Sequence, residues 1–184
     1  MAFHLSNGKV KQTHALNMVM GFTLLEVLIA VLLLSILSMI AAPSFQRWQE
    51  RHAFKHFATH FANLARHARI YALTHKKPFY LIAKVENTHC VIISDDENCT
   101  CSTHQSCAVN DAAYWEPPTQ WSTQLATLNG TDKTVAFNQH GTLNFGSNTT
   151  FTLASQHFNG KVTINALGRV KLCSVQSVVG VASC

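Results

Sequence analysis

The first strong pattern in the chain is a largely apolar run from Val27 to Ala42, which carries no charged side chain. Counted from Phe22, the segment forms roughly 31 Å of α-helix at a rise of about 1.5 Å per residue, enough to span a bilayer. The pattern predicts one transmembrane or filament-core helix at residues 22–43.

A second periodic pattern follows Pro43. Apolar residues recur there at three- and four-residue spacing and form one stripe: Phe54, Phe57, Phe61, Leu64, Ala68 and Tyr71. This spacing predicts an amphipathic helix from Ser44 to about His75, with the stripe packed on a sheet. Pro43 lacks a backbone N–H, so we expect a kink or a loosened turn there. The pair Lys77-Pro78 is expected to end the helix.

Beyond Pro78 the hydrophobic pattern changes to short alternating or apolar stretches separated by turn residues. Six strands are predicted: Phe79–Lys84, Cys90–Ser94, Thr134–Asn138, Thr149–Leu153, Lys161–Asn165 and Val170–Cys173. The stretch from Cys99 to Gln124 has mixed polarity and predicts a long loop clamped by disulfides. The predicted fold class is therefore α+β, a long N-terminal helix packed on an antiparallel β-sheet domain.

The cysteines add a constraint on this fold. There are six of them, at Cys90, Cys99, Cys101, Cys107, Cys173 and Cys184. An even count behind an export-type N-terminus favours disulfides in an oxidising compartment, and Cys173 is expected to pair with Cys184. A zinc site is the alternative, because Cys99, Cys101 and Cys107 lie close to His104. Zinc sites usually repeat a C-x₂₋₄-C spacing, which this sequence lacks.

The charge distribution points to a partner. The formal net charge is +5 and the sequence pI is about 9.0. No acidic residue lies between Arg51 and Lys84, although seven basic residues do: Arg51, Lys55, Arg66, Arg69, Lys76, Lys77 and Lys84. Such asymmetry indicates a polyanion or an anionic membrane as partner, with a solvated helix face as the plain alternative.

The sequence offers little for catalysis or metal binding. His52, His56 and His60 recur on one helical face, a spacing that can hold a metal, but no acid or cysteine accompanies them. We expect a water-exposed helix face there, without a metal. No nucleophile elbow, H-E-x-x-H motif or phosphate-binding loop is present. The prediction is a protein that is not an enzyme and needs no cofactor.

The N-terminus has the arrangement of a targeting signal. Residues 1–21 are polar and basic, with Lys9 and Lys11, and lead directly into Gly21-Phe22-Thr23-Leu24-Leu25-Glu26. A secretory signal peptide would instead place a small-residue cleavage site after the apolar run, and no convincing site follows Ala42. Positive charge ahead of the apolar run favours a cytoplasmic location for this leader.

These residues resemble the class III signal of type IV prepilins and type II secretion pseudopilins. The resemblance implies a prepilin leader at residues 1–21, cleavage after Gly21 by a prepilin peptidase, and methylation of Phe22. Glu26 matches the glutamate of the family, which implies a role in assembly. A carboxylate inside an apolar helix needs a partner, and the α-amino group of a neighbouring subunit's Phe22 would supply one.

The same resemblance implies a location and an organisation. The chain would be a single-pass inner-membrane protein with a soluble pilin-like domain, residues 44–184, in the periplasm. It would contact the membrane through its N-terminal helix and then join other pilin or pseudopilin subunits in a pilus or pseudopilus.

The C-terminal stretch from Asn165 to Cys173 is similar to the tail of the GspH/FimT-like group of minor pilins and pseudopilins. Members that act in transformation carry a Gly-Arg-x-Arg tail implicated in DNA binding. This chain has Gly168-Arg169-Val170-Lys171, in which lysine keeps the second charge but loses the planar guanidinium that grips a phosphate bidentately. The resemblance implies non-specific phosphate contacts from Arg169 and Lys171. A solvated strand edge protected by its charges is the alternative.

The expected function is therefore a minor pilin of a type IV pilus that binds DNA for uptake in natural transformation by cells in the state of competence. One alternative is the minor pseudopilin H of a type II secretion system, a structural subunit without DNA binding. Another is a pilus-tip initiator or adhesin that uses the disulfide-clamped loop. Pro43 and the basic helix favour the pilus.

Overall fold

The computed structural model describes residues 23–85, 89–117, 124–127, 131–144 and 147–184. The expected leader, with Gly21 and Phe22, lies outside these ranges. The chain divides into two compact units, Met1–Ala41 and Ala42–Cys184. The sequence-based limits 22–43 and 44–184 stay predictions.

Helix α1 spans Leu24–His75 and has recognisable signals at both ends. At its start the backbone N–H of Glu26 donates to Thr23 Oγ1 at 3.2 Å, so Thr23 caps the first turn. Glu26 lies in that turn, where the positive end of the helix dipole stabilises its negative charge. At the other end Lys76 adopts a positive φ of 54°, and Pro78 follows shortly after. The predicted end of the helix is confirmed.

In the first unit, α1 exposes nearly all of its large apolar side chains. Two hydroxyls in this stretch are satisfied within the helix, because Ser35 Oγ donates to Leu32 O and Ser38 Oγ donates to Leu34 O, both at 2.7 Å. Within the described residues, no single helix is both long enough and apolar enough to cross a membrane. Two parts of α1, Leu24–Met39 and Ala41–His75, meet both conditions only when they are taken together.

The second unit contains the rest of α1, two β-sheets, the short helix α2 (His104–Cys107) and a 3₁₀ turn at Asp111–Ala113. The strands are β1 Phe79–Lys84, β2 Cys90–Ser94, β3 Tyr114–Trp115, β4 Gln124–Thr127, β5 Lys133–Phe137, β6 Thr149–Ala154, β7 Asn159–Ile164, β8 Val170–Ser174 and β9 Ala182–Ser183. A four-stranded sheet has the order β3-β2-β1-β5, and a five-stranded sheet has the order β4-β6-β7-β8-β9.

The predicted α+β class is confirmed, and the structure refines it in two ways. The strands form two sheets instead of one, and the last pair, β8 with β9, is parallel. The parallel pair arises because residues 175–181 carry the chain back beside Cys173, from where β9 runs in the same direction as β8. There Cys184 N donates to Ser174 O at 3.0 Å.

The apolar stripe predicted on α1 is the centre of the core. Phe54, Phe61 and Ala68 are fully buried. Phe61 meets Phe151 of β6 edge-on, with ring centroids 4.9 Å apart. Burial alternates along β6 and β7, so every second side chain points to α1 and the others form an outer face. The helix therefore covers the inner face of the five-stranded sheet and does not cover its outer face.

Three disulfides join the six cysteines: Cys90–Cys101, Cys99–Cys107 and Cys173–Cys184. The bond at the C-terminal end is the pair expected from the sequence. No thiolate is left for zinc, which removes the alternative built on His104. The predicted loop after Cys99 is also more ordered than expected, because it holds α2, the 3₁₀ turn and β3.

Candidate nucleic-acid interface

The turn between β7 and β8 positions Arg169. Asn165 organises it, because its backbone N–H donates to Arg169 O at 3.1 Å and its Oδ1 accepts from Arg169 N at 2.8 Å. Strand β8 begins at Val170, as the sequence predicted, so Arg169 lies one residue before the strand. Its pairing with Asn165 nevertheless continues the ladder.

Gly168 has a packing role in this turn. Its φ is +71°, and a Cβ at this position would lie 2.0 Å from the carbonyl oxygen of Gly141 and 3.0 Å from Arg69 Nε. Arg69 Nε itself donates to that carbonyl at 2.9 Å. Only a residue without a side chain allows the turn to sit this close to α1 and the loop at Gly141. Gly168, which the sequence predicted as part of the DNA-binding tail, is thus buried, whereas the neighbouring Arg169 is exposed.

Arg169 and Lys171 lie on the side of the sheet turned away from the core. Both are exposed, whereas the intervening Val170 and the following Leu172 pack against the core. Among the described residues, no ion pair involves either cationic side chain. The two positive charges are therefore open to a ligand.

The register of the sheet adds a third cation that sequence reasoning missed. Lys161 of β7 is opposite Cys173, and Thr163 is opposite Lys171. Lys161 and Lys171 are therefore diagonal neighbours on one face, roughly 7–8 Å apart between Cα atoms. The sequence holds one signal that favours this face, since no Asp or Glu occurs from Lys133 to Cys184.

Hydroxyl groups complete this outer sheet face. Thr150 of β6 is opposite Thr163 and Thr152 is opposite Lys161. The hydroxyls of Thr150 and Thr163 lie 3.3 Å apart, within hydrogen-bond distance. We define the outer sheet face by six residues: Thr150, Thr152, Lys161, Thr163, Arg169 and Lys171. It combines three cations with hydroxyl groups and contains no carboxylate. Cationic and hydroxyl side chains are the groups that donate hydrogen bonds to phosphate oxygens.

The basic residues near the end of α1 do not join this face. The helix packs on the inner side of the sheet, and two of these basic residues already have partners. Arg66 Nη1 donates to Asn63 Oδ1 at 2.7 Å, and Lys77 Nζ forms an ion pair with Asp95 Oδ2 at 2.5 Å. The hydrogen bond from Lys77 holds the pKa of Asp95 below its usual value. The charge asymmetry seen in the sequence is thus partly compensated within the fold.

The histidine face differs from expectation at one position. His52 and His56 are exposed, but His60 is half-buried against Trp115, with ring centroids 4.6 Å apart. His60 Nδ1 is buried without a hydrogen-bond partner. Burial lowers the pKa of His60, and the neighbouring His56 and His67 lower it further. No group of three His, Cys, Asp or Glu side chains within the described residues is arranged to hold a metal ion.

No protein-family model matches this chain, and no curated protein matches it either. Its fold is similar to that of the type IV minor pilin FimU of Pseudomonas aeruginosa strain PAO1. With one crystal form the TM-score is 0.52 at 14% sequence identity, covering 68% of this chain and 91% of FimU. With a second crystal form the TM-score is 0.49 at 14% identity, covering 62% and 88%. The chain therefore has the fold of a type IV minor pilin.

Proposed function

We propose that this chain is a minor pilin that assembles through its N-terminal helix and binds DNA non-specifically during uptake in natural transformation. The minor pilin fold and the Gly21-Phe22 junction with Glu26 support the first part. Cleavage after Gly21 and methylation of Phe22 belong to the same proposal. So does a periplasmic domain carried by one inner-membrane helix. The role is structural and recognitional, without catalysis.

Assembly rests on the apolar surface of α1 in the first unit. Its side chains are exposed in a single subunit, so lipid or neighbouring helices have to cover them. Glu26 stands at the start of this helix. We propose that the α-amino group of a neighbouring subunit's Phe22 pairs with it, since a lone carboxylate in an apolar bundle is costly.

DNA binding rests on one observation, the acid-free outer sheet face. Arg169, Lys171 and Lys161 are spread over two adjacent strands with hydroxyl groups between them. Such a face offers charge and hydrogen bonds to a phosphate backbone but no groove-fitting element that reads base edges. Binding is therefore expected to be independent of sequence and to weaken as salt rises.

The test is a DNA titration of the full mature chain in a non-ionic detergent at several salt concentrations. Arg169→Ala together with Lys171→Ala should lower the log–log salt slope by about two units, and Lys161→Ala should lower it by about one, because each removes roughly one phosphate contact. Lys171→Arg should hold or raise the affinity, because guanidinium adds a second hydrogen bond.

A charge-matched control separates local contact from net charge. Arg66→Ala with Lys76→Ala also removes two cations, but both are exposed at α1 and its end, away from the outer sheet face. This control should keep nearly the wild-type slope. If wild type and the Arg169 and Lys171 double variant bind DNA equally weakly at low salt, DNA binding is refuted, and the structural role of a type II secretion pseudopilin H replaces it.

A further inference from the structure

One end of the second unit carries exposed apolar side chains from two distant parts of the chain. Phe45 and Trp48 of α1 are 61% and 54% exposed, and their rings stack with centroids 5.6 Å apart. Val175 and Val179, in the segment between β8 and β9, are 60% and 75% exposed. Apolar exposure from separate segments at one end of a domain indicates a surface that meets a partner.

Hydrogen bonds accepted by Glu50 fix the first part of this end. Glu50 Oε1 accepts from Ser155 Oγ at 2.7 Å and from His157 N at 2.8 Å, and Oε2 lies 2.6 Å from His157 Nδ1. Ser155 and His157 belong to the turn between β6 and β7. That turn is therefore held against the stretch of α1 just after Trp48.

The segment after β8 reaches the same end. Val175 N donates to the carbonyl of Asn159, the first residue of β7, at 2.8 Å. A Cβ at Gly180 would lie 2.9 Å from Lys55 Nζ, so this segment also touches α1. We define the basal surface by six residues: Phe45, Trp48, Arg51, Lys55, Val175 and Val179.

The basal surface is positively charged. The Arg51 guanidinium lies 5.7 Å from the centroid of the Phe158 ring and is exposed, and Lys55 is half-buried. In the described part of this end the one Asp or Glu side chain is Glu50, which is only 12% exposed. Burial raises the pKa of Glu50, but hydrogen bonds from Ser155 and His157 outweigh it, and the pKa is lowered. The Glu50 carboxylate is thus hydrogen-bonded to the β6–β7 turn, and in the described part of the chain it forms no ion pair with Arg51 or Lys55.

The turn that carries Gly168 marks the opposite end of the unit. It packs on Arg69, which lies about 28 Å along the helix from Glu50 at roughly 1.5 Å per residue. Leu167 in that turn is 59% exposed. A partner at the basal surface would therefore leave Arg169 and its turn free.

We propose that the basal surface docks on an anionic phospholipid bilayer. Aromatic rings are enriched at the membrane interface, and each Lys or Arg near anionic lipids adds favourable electrostatic energy. Trp48 follows the apolar run by six residues, or about 9 Å of helix, which is near the outer edge of a headgroup layer roughly 5–8 Å deep. The inference rests on the membrane-anchored part of the proposed function and does not depend on DNA binding.

The experiment places a tryptophan probe at each end of the unit, in the full mature chain reconstituted into vesicles with brominated acyl chains. Val179→Trp reports the basal surface and Leu167→Trp is its control at the opposite end, both with Trp48→Phe. The signal of Trp115 and Trp121 is subtracted with the Trp48→Phe variant alone. In vesicles containing phosphatidylglycerol, the Val179→Trp probe should be quenched and the Leu167→Trp probe should not. Arg51→Gln and Lys55→Gln should each lower the docked-to-undocked ratio about fivefold.

The outcomes distinguish this inference from the proposed function. A chain that does not stay in the bilayer when washed with high salt and alkali contradicts both the anchor and the docking. Stable anchoring without quenching at residue 179, or with equal quenching at both probes, overturns the docking alone and leaves a neighbouring subunit to cover the basal surface. Quenching that is the same in phosphatidylcholine and phosphatidylglycerol refutes the anionic lipid.

Discussion

The candidate interface depends on Gly168, because this residue lets the turn before Arg169 pack closely. A Cβ at this position would lie 2.0 Å from the carbonyl oxygen of Gly141. Any other residue would also have to adopt the φ of +71° that Gly168 has. A positive φ alone costs about 1–3 kcal/mol outside glycine, and the carbonyl cannot move without Arg69. Gly168→Ala should therefore lower the free energy of unfolding by more than about 2 kcal/mol, measured by urea denaturation.

Gly180 supplies the matched control for this substitution. Its φ is +82°, but the atom nearest to an added Cβ is the mobile end of Lys55. Gly180→Ala should cost about 1 kcal/mol, the backbone strain without the clash. Equal losses for the two variants would mean that close packing at Gly141 does not hold the turn.

At the scale of elements, the C-terminal tail depends on the Cys173–Cys184 bond. Strand β9 is two residues long and pairs only with the end of β8. Replacing both cysteines by alanine should cost about 2–3 kcal/mol in the chain-entropy model and release β9. Urea denaturation measures the first effect, and hydrogen exchange of the β8 amides measures the second.

The Cys90–Cys101 bond is the natural control, since both bonds have a sequence separation of 11. Its removal should cost at least as much, because Cys90 is also buried in the core. It should leave β8 protected, because it lies at the other sheet. Loss of β8 protection in both variants would contradict a local role for the tail disulfide.

At the scale of the whole molecule, the proposed assembly predicts a processed N-terminus. We expect the subunit in filaments to begin at Phe22 and to carry one methyl group, as mass spectrometry would show. Gly21→Arg should leave an unprocessed precursor in the membrane, because a bulky cation does not fit a small-residue cleavage site. Gly21→Ala should be tolerated. An intact Met1 in assembled filaments would refute the pilin proposal.

The sequence alone determined the local elements of this protein. The spacing of Phe54, Phe57 and Phe61 fixed the buried face of α1, because a helix repeats every 3.6 residues whatever it packs on. Lys77-Pro78 fixed its end, and β-branched and aromatic stretches located six strands to within about two residues. Of the strands that were missed, β3 and β9 have two residues, too few to show a period of two, and β4 has no aromatic and only one β-branched residue.

Only the tertiary structure decided what depends on contacts between distant residues. The division into two sheets and the parallel pairing of β9 follow from strand registers, which no local pattern encodes. The same register places Lys161 beside Lys171, and only packing on Gly141 explains Gly168. His60 was expected in water because its spacing matches His52 and His56, but Trp115 covers it from a strand more than 50 residues away. Local periodicity gives the direction of a side chain, and the fold determines what meets it there.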